Sequence, residues 1–442
     1  MIASKAKKGL KVKYFFNRYM VVVFAIAICL SMPLIVSIDG YNFLDSARSL
    51  FSSDAADSYS WYREPGYPAF IKFFHGVFGN ADIWITLPQG IAMIGALGIL
   101  WYVLAEHFSR VQRLVGGTVI TIGVLNPVYL SYSSMVLRQA YLTFVIAGFC
   151  GLVAKSYKET SLRGQLKVVT WAVALVLVGV SLSAVIAYVA VVPFLILLVN
   201  LTRISLAIDR SRQRVRATLA VPLVVITLFI TLGGSWVAWD SYKTSQENGA
   251  PRGGGTNFQL NDALQDAFNH GLIGFSEQFL SKARITLMLV PSDNSGAILE
   301  NELWTGWQTN PDNRCGAWDG LPQEIVAKAR AYVTSTCRSA FGQRVTKLLR
   351  EPGLTVYRFV SLAFLIFPLY LALRRRWTHL AIIATPLWFL ILHSSRNYSN
   401  DRYGIPLYPI GLVGLATFVS DAAGRLQLQW VSWRSKDEVN SV

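Results

Sequence analysis

The chain has 442 residues, 53 % of them hydrophobic and only 15 % charged, with a formal net charge of +16. Ordinary soluble domains carry about 25 % charged residues. So low a charge fraction at this length excludes a soluble enzyme, a disordered chain and a small secreted disulfide scaffold, and leaves a polytopic membrane protein. The basic excess is then read as topology and contact with anionic lipid, and no nucleic-acid partner is expected.

A bilayer core takes about 20 apolar residues per helix, and only helices or closed barrels satisfy the backbone in lipid. Long uninterrupted apolar runs predict about ten helical spans, near 20–38, 84–104, 115–136, 139–154, 168–183, 184–201, 218–239, 355–373, 378–394 and 404–420. The fifth and sixth come from one long stretch and are read as a tight hairpin. Basic residues of the short segments, among them Lys7, Lys8, Arg110, Arg113, Lys155, Lys158, Arg212, Arg214 and Arg374 to Arg376, place both termini in the cytoplasm. The N-terminal basic-then-apolar pattern reads as an uncleaved anchor. The expected organisation is an N-terminal transmembrane module over 1–239, an extracytoplasmic loop domain over 240–354, and C-terminal helices with a cytoplasmic tail over 355–442.

The first outer loop, 39–83, opens on Asp39, where the first span leaves the membrane. Phe43, Leu44, Ala47, Leu50 and Phe51 then share a helical face, which predicts an amphipathic interfacial helix. Arg63-Glu64-Pro65-Gly66-Tyr67-Pro68 reads as a stiff turn. Phe70, Phe73, Phe74, Val77 and Phe78 mark a second, aromatic interfacial helix. Asp39 is positioned to be a carboxylate beside a lipid headgroup; the plainer reading is a helix-capping acid. Asp45, Asp54, Asp57 and Glu64 read mostly as solvated charges.

Further along, Arg138 lies between two spans, where a charge is costly unless paired or facing water. It is a candidate for binding a phosphate, as are Arg63, Arg396 and Arg402 at the outer surface, because a guanidinium grips two phosphate oxygens. Lys282 and Arg284, ahead of Leu287-Met-Leu-Val-Pro291, are weaker candidates for the same headgroup. The polar stretch Ser245 to Asn257, with Gly253, Gly254 and Gly255, reads as a hinge; no Gly-Lys-Ser/Thr follows to make a phosphate loop. Trp61, Trp304, Trp307 and Trp318 lie in outer loops, where rings can stack on sugars, anchor at the interface or pack a loop core. Cys315 and Cys337 share the large loop and form a candidate disulfide, the alternative being two reduced thiols. No metal-ligand spacing occurs. Asp39 with Asp45 could hold Mg²⁺ or Mn²⁺, which makes a divalent cation the one cofactor to consider.

Taken together, Asp39, Ala47-Arg-Ser-Leu50, Arg63-Glu-Pro-Gly-Tyr-Pro68, Val77-Phe-Gly79, Asn126-Pro127 with Tyr132-Ser-Ser134, and Asp401-Arg402-Tyr403 with Pro406 and Pro409 resemble the GT-C glycosyltransferases. The resemblance is to the bacterial protein-mannosyltransferase-like group that uses polyprenyl-phosphate sugars. It covers about the first 140 and last 50 residues; the middle shares topology only. It implies a GT-C-like bundle with interfacial helices and a small extracytoplasmic domain. It also implies inverting transfer of a sugar to a cell-envelope glycan or lipid-linked acceptor, such as O-antigen, on the periplasmic face of the inner membrane. Asp39 would be the base, Arg402, Arg138, Arg63 and Arg396 the donor-phosphate ligands, and Tyr67, Tyr403 and Glu64 substrate contacts. The rival readings are a polymerase or ligase using diphosphate-linked donors, and a lipid or sugar transporter.

Overall fold

The computed structural model describes residues 21–32, 34–36, 38–50, 65–183, 185–207, 276–287, 317–318, 322–334, 340–394 and 401–440, with 271, 274 and 337 singly. Its architecture is almost wholly helical. In chain order the elements are α1 (Val21–Ser31), β1 (Ile35–Val36), α2 (Ile38–Ser49), α3 (Gly66–Phe78), α4 (Ile83–Leu104), α5 (Arg110–Val124), α6 (Pro127–Ser131), α7 (Gln139–Lys158), α8 (Leu162–Leu182), α9 (Val185–Val189) and α10 (Val191–Ala207). There follow α11 (276–286), β2 (Ala317–Trp318), α12 (Gln323–Tyr332), α13 (Ala340–Leu373), α14 (Trp377–Ser394), a 3₁₀ helix (Asp401–Leu407) and α15 (Tyr408–Asn440).

Seven helical stretches among the described residues are long and apolar enough to cross a membrane: Ile83–Leu104, Gln139–Lys158, Leu162–Leu182, Val185–Ile204, Pro352–Leu373, Trp377–Ser394 and Gly404–Trp430. Their outward faces keep large apolar side chains uncovered, including Trp171, Val199, Phe359, Ile366 and Leu369. Water would not tolerate such a surface, and lipid does. The chain is a multi-pass membrane protein of the all-α class.

Two expected spans take a different form. The first helix stops at Ser31, and Leu34 to Val36 run extended. The run expected at 115–136 is broken at Asn126-Pro127 into α5 and α6, and residues 132–138 are not helical. Pro127 stands at the first position of α6, where its missing N–H is harmless, and the Asn126 Oδ1 caps that helix by accepting from Val128 N at 2.9 Å. The break at Ser183 between α8 and α9 falls at the expected hairpin. The run at 218–239 lies outside the described residues. Helix α13 passes through the expected 354/355 boundary without interruption.

Polar side chains inside the bundle pair with one another, as burial in lipid demands. Asn200 of α10 donates to Ser156 Oγ of α7 at 2.9 Å, and Ser156 Oγ donates to Gln165 Oε1 of α8 at 3.1 Å. Asn200 is thus a buried packing residue of the bundle. At one end of the bundle, Asp421 of α15 accepts from Gln112 of α5 at 3.3 Å and from Tyr370 of α13, and forms an ion pair with Arg376 at 3.0 Å. Glu106 pairs with Lys158 at the same end. With Arg110, Arg113, Lys155, Arg374 and Arg375 this is the arginine-rich end. The opposite end carries β1, α2, α3 and residues 132–138, and is called here the ribbon end.

Near the ribbon end, Asn126 ties three segments. Its Nδ2 donates to the Gly353 carbonyl at 2.9 Å and to the Tyr408 hydroxyl at 3.1 Å, and that hydroxyl donates to the Gly123 carbonyl at 2.9 Å. The Tyr408 ring stacks between Tyr129 at 4.5 Å and Tyr357 at 4.8 Å. Removing the amide strands buried partners and a helix cap. Asn126→Ala is expected to destabilise the protein by about 2–3 kcal/mol, read as a lower melting temperature in detergent; an unchanged temperature would show that the node carries no weight.

Candidate functional site

The ribbon end is built by backbone pairing of distant segments. Ile35 N donates to the Ser134 carbonyl at 2.9 Å, and Val136 N donates to the Ile35 carbonyl at 3.1 Å. On its other edge β1 pairs in parallel with β2, Ile35 opposite Ala317 and Val36 opposite Trp318. Gln89, deep in α4, closes the remaining positions. Its Nε2 donates to the Ser133 and Met135 carbonyls at 2.8 and 2.9 Å, and its Oε1 accepts from Tyr67 at 3.1 Å. A non-helical stretch between two spans thus has its carbonyls answered by one amide.

This ribbon aims α2. The chain leaves β1 at Val36 and enters α2 at Ile38, so Asp39 lies in the first turn. Gly40 sits so close to Val136 that an added Cβ would lie 3.1 Å from its carbonyl oxygen. Helix α2 buries Phe43, Leu44 and Ala47, and Leu50 just after it is buried too, the apolar face expected from the sequence, while Phe51 lies outside the described residues. Residues 39 and 43 are one turn apart on the same face of α2. The guanidinium of Arg138 lies 5.9 Å from the Phe43 ring centroid, so Arg138 meets α2 on the face that carries position 39.

Arg138 directly precedes α7 and is half-buried. Its NH1 donates to the Leu182 carbonyl at 2.8 Å, in the last turn of α8, where an unsatisfied carbonyl and the helix dipole both favour a cation. A guanidinium carries five N–H donors in a planar fork. The next residue, Gln139, is buried, and its Oε1 has no hydrogen-bond partner among the described residues.

The 3₁₀ helix that contains Asp401, Arg402 and Tyr403 packs against α7 and α14. Gly404 is required there, because a Cβ would overlap the Thr286 carbonyl oxygen of α11. Helix α11 also carries Lys282 and Arg284. The Arg402 helix packs against α7, the helix that Arg138 directly precedes.

Several sequence expectations need revision. Tyr67 is fully buried and its hydroxyl is committed to Gln89, so it serves the frame and presents nothing to a substrate. Pro65-Gly66-Tyr67-Pro68 is less a turn than the start of α3. Pro68 falls in the first turn, and Gly66 lets α3 meet Ser181 of α8, where a Cβ would lie 2.4 Å from Ser181 Oγ. The aromatic face of α3 points outward, with Phe73, Val77 and Phe78 exposed, while Tyr67, Pro68 and Ile71 face the protein. The side chain of Asp39, and with it the expected Mg²⁺ or Mn²⁺ pairing with Asp45, lies outside what is described. No group of three or more His, Cys, Asp or Glu able to hold a metal occurs among the described residues. Cys337 is disulfide-bonded; Cys315, its expected partner, lies outside the described residues, as do Arg63, Glu64 and Arg396. Cys29 and Cys150 are buried free thiols.

Gln89, His75 and Asp82 are the site-end residues that sequence reasoning passed over. Gln89 could have been noticed as the one amide within an otherwise apolar span. Asp82 is fully buried at the start of α4, with its N–H donating to the Thr334 carbonyl at 3.1 Å. His75 packs against Tyr332 at 5.2 Å, and neither ring nitrogen has a hydrogen-bond partner among the described residues. Burial holds the His75 imidazole below its ordinary value of 6.5 and raises the Tyr332 phenol to about 12.

No protein-family model, curated protein or solved structure matches the chain. The site is therefore judged on its own geometry.

Two outcomes are expected. Gly404→Ala must push the 3₁₀ helix off α11, and should lower the melting temperature by the equivalent of about 1–3 kcal/mol; a wild-type melting curve would show that the close approach is not needed. Burial disfavours the charged form of His75 in the folded chain, whereas the unfolded chain takes up its proton near pH 6.5. The stability it contributes is present above that pH and lost below it. Melting temperature should fall on acidification below pH 6.5, and His75→Asn should flatten the slope; identical slopes would remove His75 as the cause.

Proposed function

We propose that the protein is a GT-C-type integral membrane glycosyltransferase. It moves a sugar from a polyprenyl-phosphate donor to a cell-envelope glycan or lipid-linked acceptor. What supports this reading is one convergence. The helix that carries Asp39 in its first turn, the segment that leads into Arg138, and α7, the packing partner of the Arg402 helix, are joined in one bundle. These are the same separated motifs that carry the family resemblance. The placing of Asp39 and Arg138 at a bundle end also favours headgroup chemistry over the midplane sites of transporters.

In the proposed reaction the Asp39 carboxylate accepts the proton of the acceptor hydroxyl as its oxygen attacks the anomeric carbon. The bond from that carbon to the phosphate oxygen breaks, and the electron pair leaves with the lipid phosphate. Attack from the opposite face inverts the anomeric configuration. Arg138 and Arg402 stabilise the charge that returns to the phosphate, which is where positioned donors count most. Tyr403 stands beside Arg402 as a substrate contact. With basic segments inside, both termini are cytoplasmic and the ribbon end faces the periplasm.

The test is the envelope-glycan mass profile of a deletion strain complemented with wild type or Asp39→Asn at equal membrane levels. Wild type should restore a mass step of one sugar. Asp39→Asn should reduce the modified fraction by about 10²-fold or more, the usual scale for loss of a general base. Full restoration by Asp39→Asn would make Asp39 a capping residue and overturn the mechanism.

A further inference from the structure

Helix α3 lies at the ribbon end, packed against α2, α4 and α8. One face, with Tyr67, Pro68 and Ile71, is buried against the protein. Another is a ladder of rings. Phe70, Phe74 and Phe78 recur every fourth position and so line one side of the helix. The Phe70 and Phe74 centroids lie 4.6 Å apart, and those of Phe74 and Phe78 5.7 Å. Phe78 stacks on Trp84 of α4 at 4.7 Å. From 70 to 78 the strip runs about 12 Å along the helix axis. It is open at the far end, where Phe78 is 49 % exposed and Phe73 beside it 60 %.

The near end of the strip is tied to Arg138. Phe70 packs against Tyr141 of α7 at 4.6 Å. Tyr141 N donates to the Arg138 carbonyl at 3.1 Å, so the two residues are about one helical turn apart. A guanidinium thus stands at the head of an open aromatic strip that leads away from it. An anionic head on an apolar tail satisfies both parts at once. A prenyl chain suits the rings better than a saturated acyl chain does, because its flat alkene units can lie against aromatic faces.

We propose that the Phe70, Phe74 and Phe78 face of α3 binds the first isoprene units of a polyprenyl phosphate whose head is held at Arg138. This rests on the donor reading above and adds to it a place for the donor's tail. Helix α3 then selects the donor by its chain, and Arg138 by its head.

The experiment is native mass spectrometry of the full chain, titrated with undecaprenyl phosphate and separately with phosphatidylglycerol. Wild type should bind undecaprenyl phosphate about tenfold or more tightly than phosphatidylglycerol. Phe74→Ala and Phe78→Ala should each weaken undecaprenyl phosphate by about five- to tenfold, the worth of one aromatic contact, at the wild-type melting temperature. Trp171→Ala, on the open face of α8, should bind as wild type does. Wild-type binding in both Phe variants would overturn the proposal, and so would an equal loss in Trp171→Ala. Phosphatidylglycerol binding as tightly as undecaprenyl phosphate would make the strip an ordinary lipid-facing surface and overturn it too. So would losses that come with a lowered melting temperature in both Phe variants, which mark a packing role. The transferase reading fails separately, in the glycan profile: if wild type restores no sugar while the binding pattern holds, the transferase is removed and the tail site stands.

Discussion

The structure depends on how the ribbon end satisfies its backbone. Residues 132–138 link two spans without being helical, and an open carbonyl beside lipid costs several kcal/mol. Gln89 answers two of these carbonyls with one amide group, and β1 takes the Ser134 carbonyl and the Val136 N–H. Tyr67 in turn orients the Gln89 amide. The consequence reaches beyond stability. Because β1 is held, the first turn of α2 has a fixed place, and so does Arg138 at the far end of the same segment.

A second constraint links the two ends of the sequence. Asn126 and Tyr408 lie 282 positions apart and share a hydrogen bond within a stack of three tyrosines. This sets α15, and with it the 3₁₀ helix that precedes it, against the α5–α6 break. The arginine-rich end is held differently, by Asp421 drawing Gln112, Tyr370 and Arg376 to one carboxylate. One end is ordered by backbone pairing around the proposed chemistry, the other by ion pairs where basic residues gather.

Much of this was legible in the sequence, for physical reasons. Apolar runs of bilayer length have few alternatives, so spans such as 84–104 and 378–394 were readable to within a residue or so. The apolar face of α2 was readable from its period. What escaped was whatever depends on contacts between distant segments. Nothing local says that Ile35 pairs with residues 134–136 and with Ala317, so the first span was read as helix through to residue 38. The Asn126-Pro127 break was visible as a motif, but a continuous apolar run outweighed it. Tyr67 looked like a substrate contact because its motif lies at the membrane surface; only the fold reveals Gln89 opposite its hydroxyl. In the site, Asp39 and Arg138 were readable as costly charges at span ends. The place of Trp318 was not, because a two-residue strand leaves no pattern.

The central claim is that three separated segments, 35–36, 134–136 and 317–318, build one ribbon that aims Asp39. The most direct measurement is cysteine cross-linking in native membranes. Val36→Cys combined with Trp318→Cys is oxidised mildly, and the cross-linked peptides are mapped by mass spectrometry. Val36→Cys with Trp430→Cys, a residue on α15 toward the arginine-rich end, serves as the control. The account predicts a bond between positions 36 and 318 and none in the control. If 36 and 318 fail to join, or join no more than the control, the large loop is not part of the site and the account is contradicted.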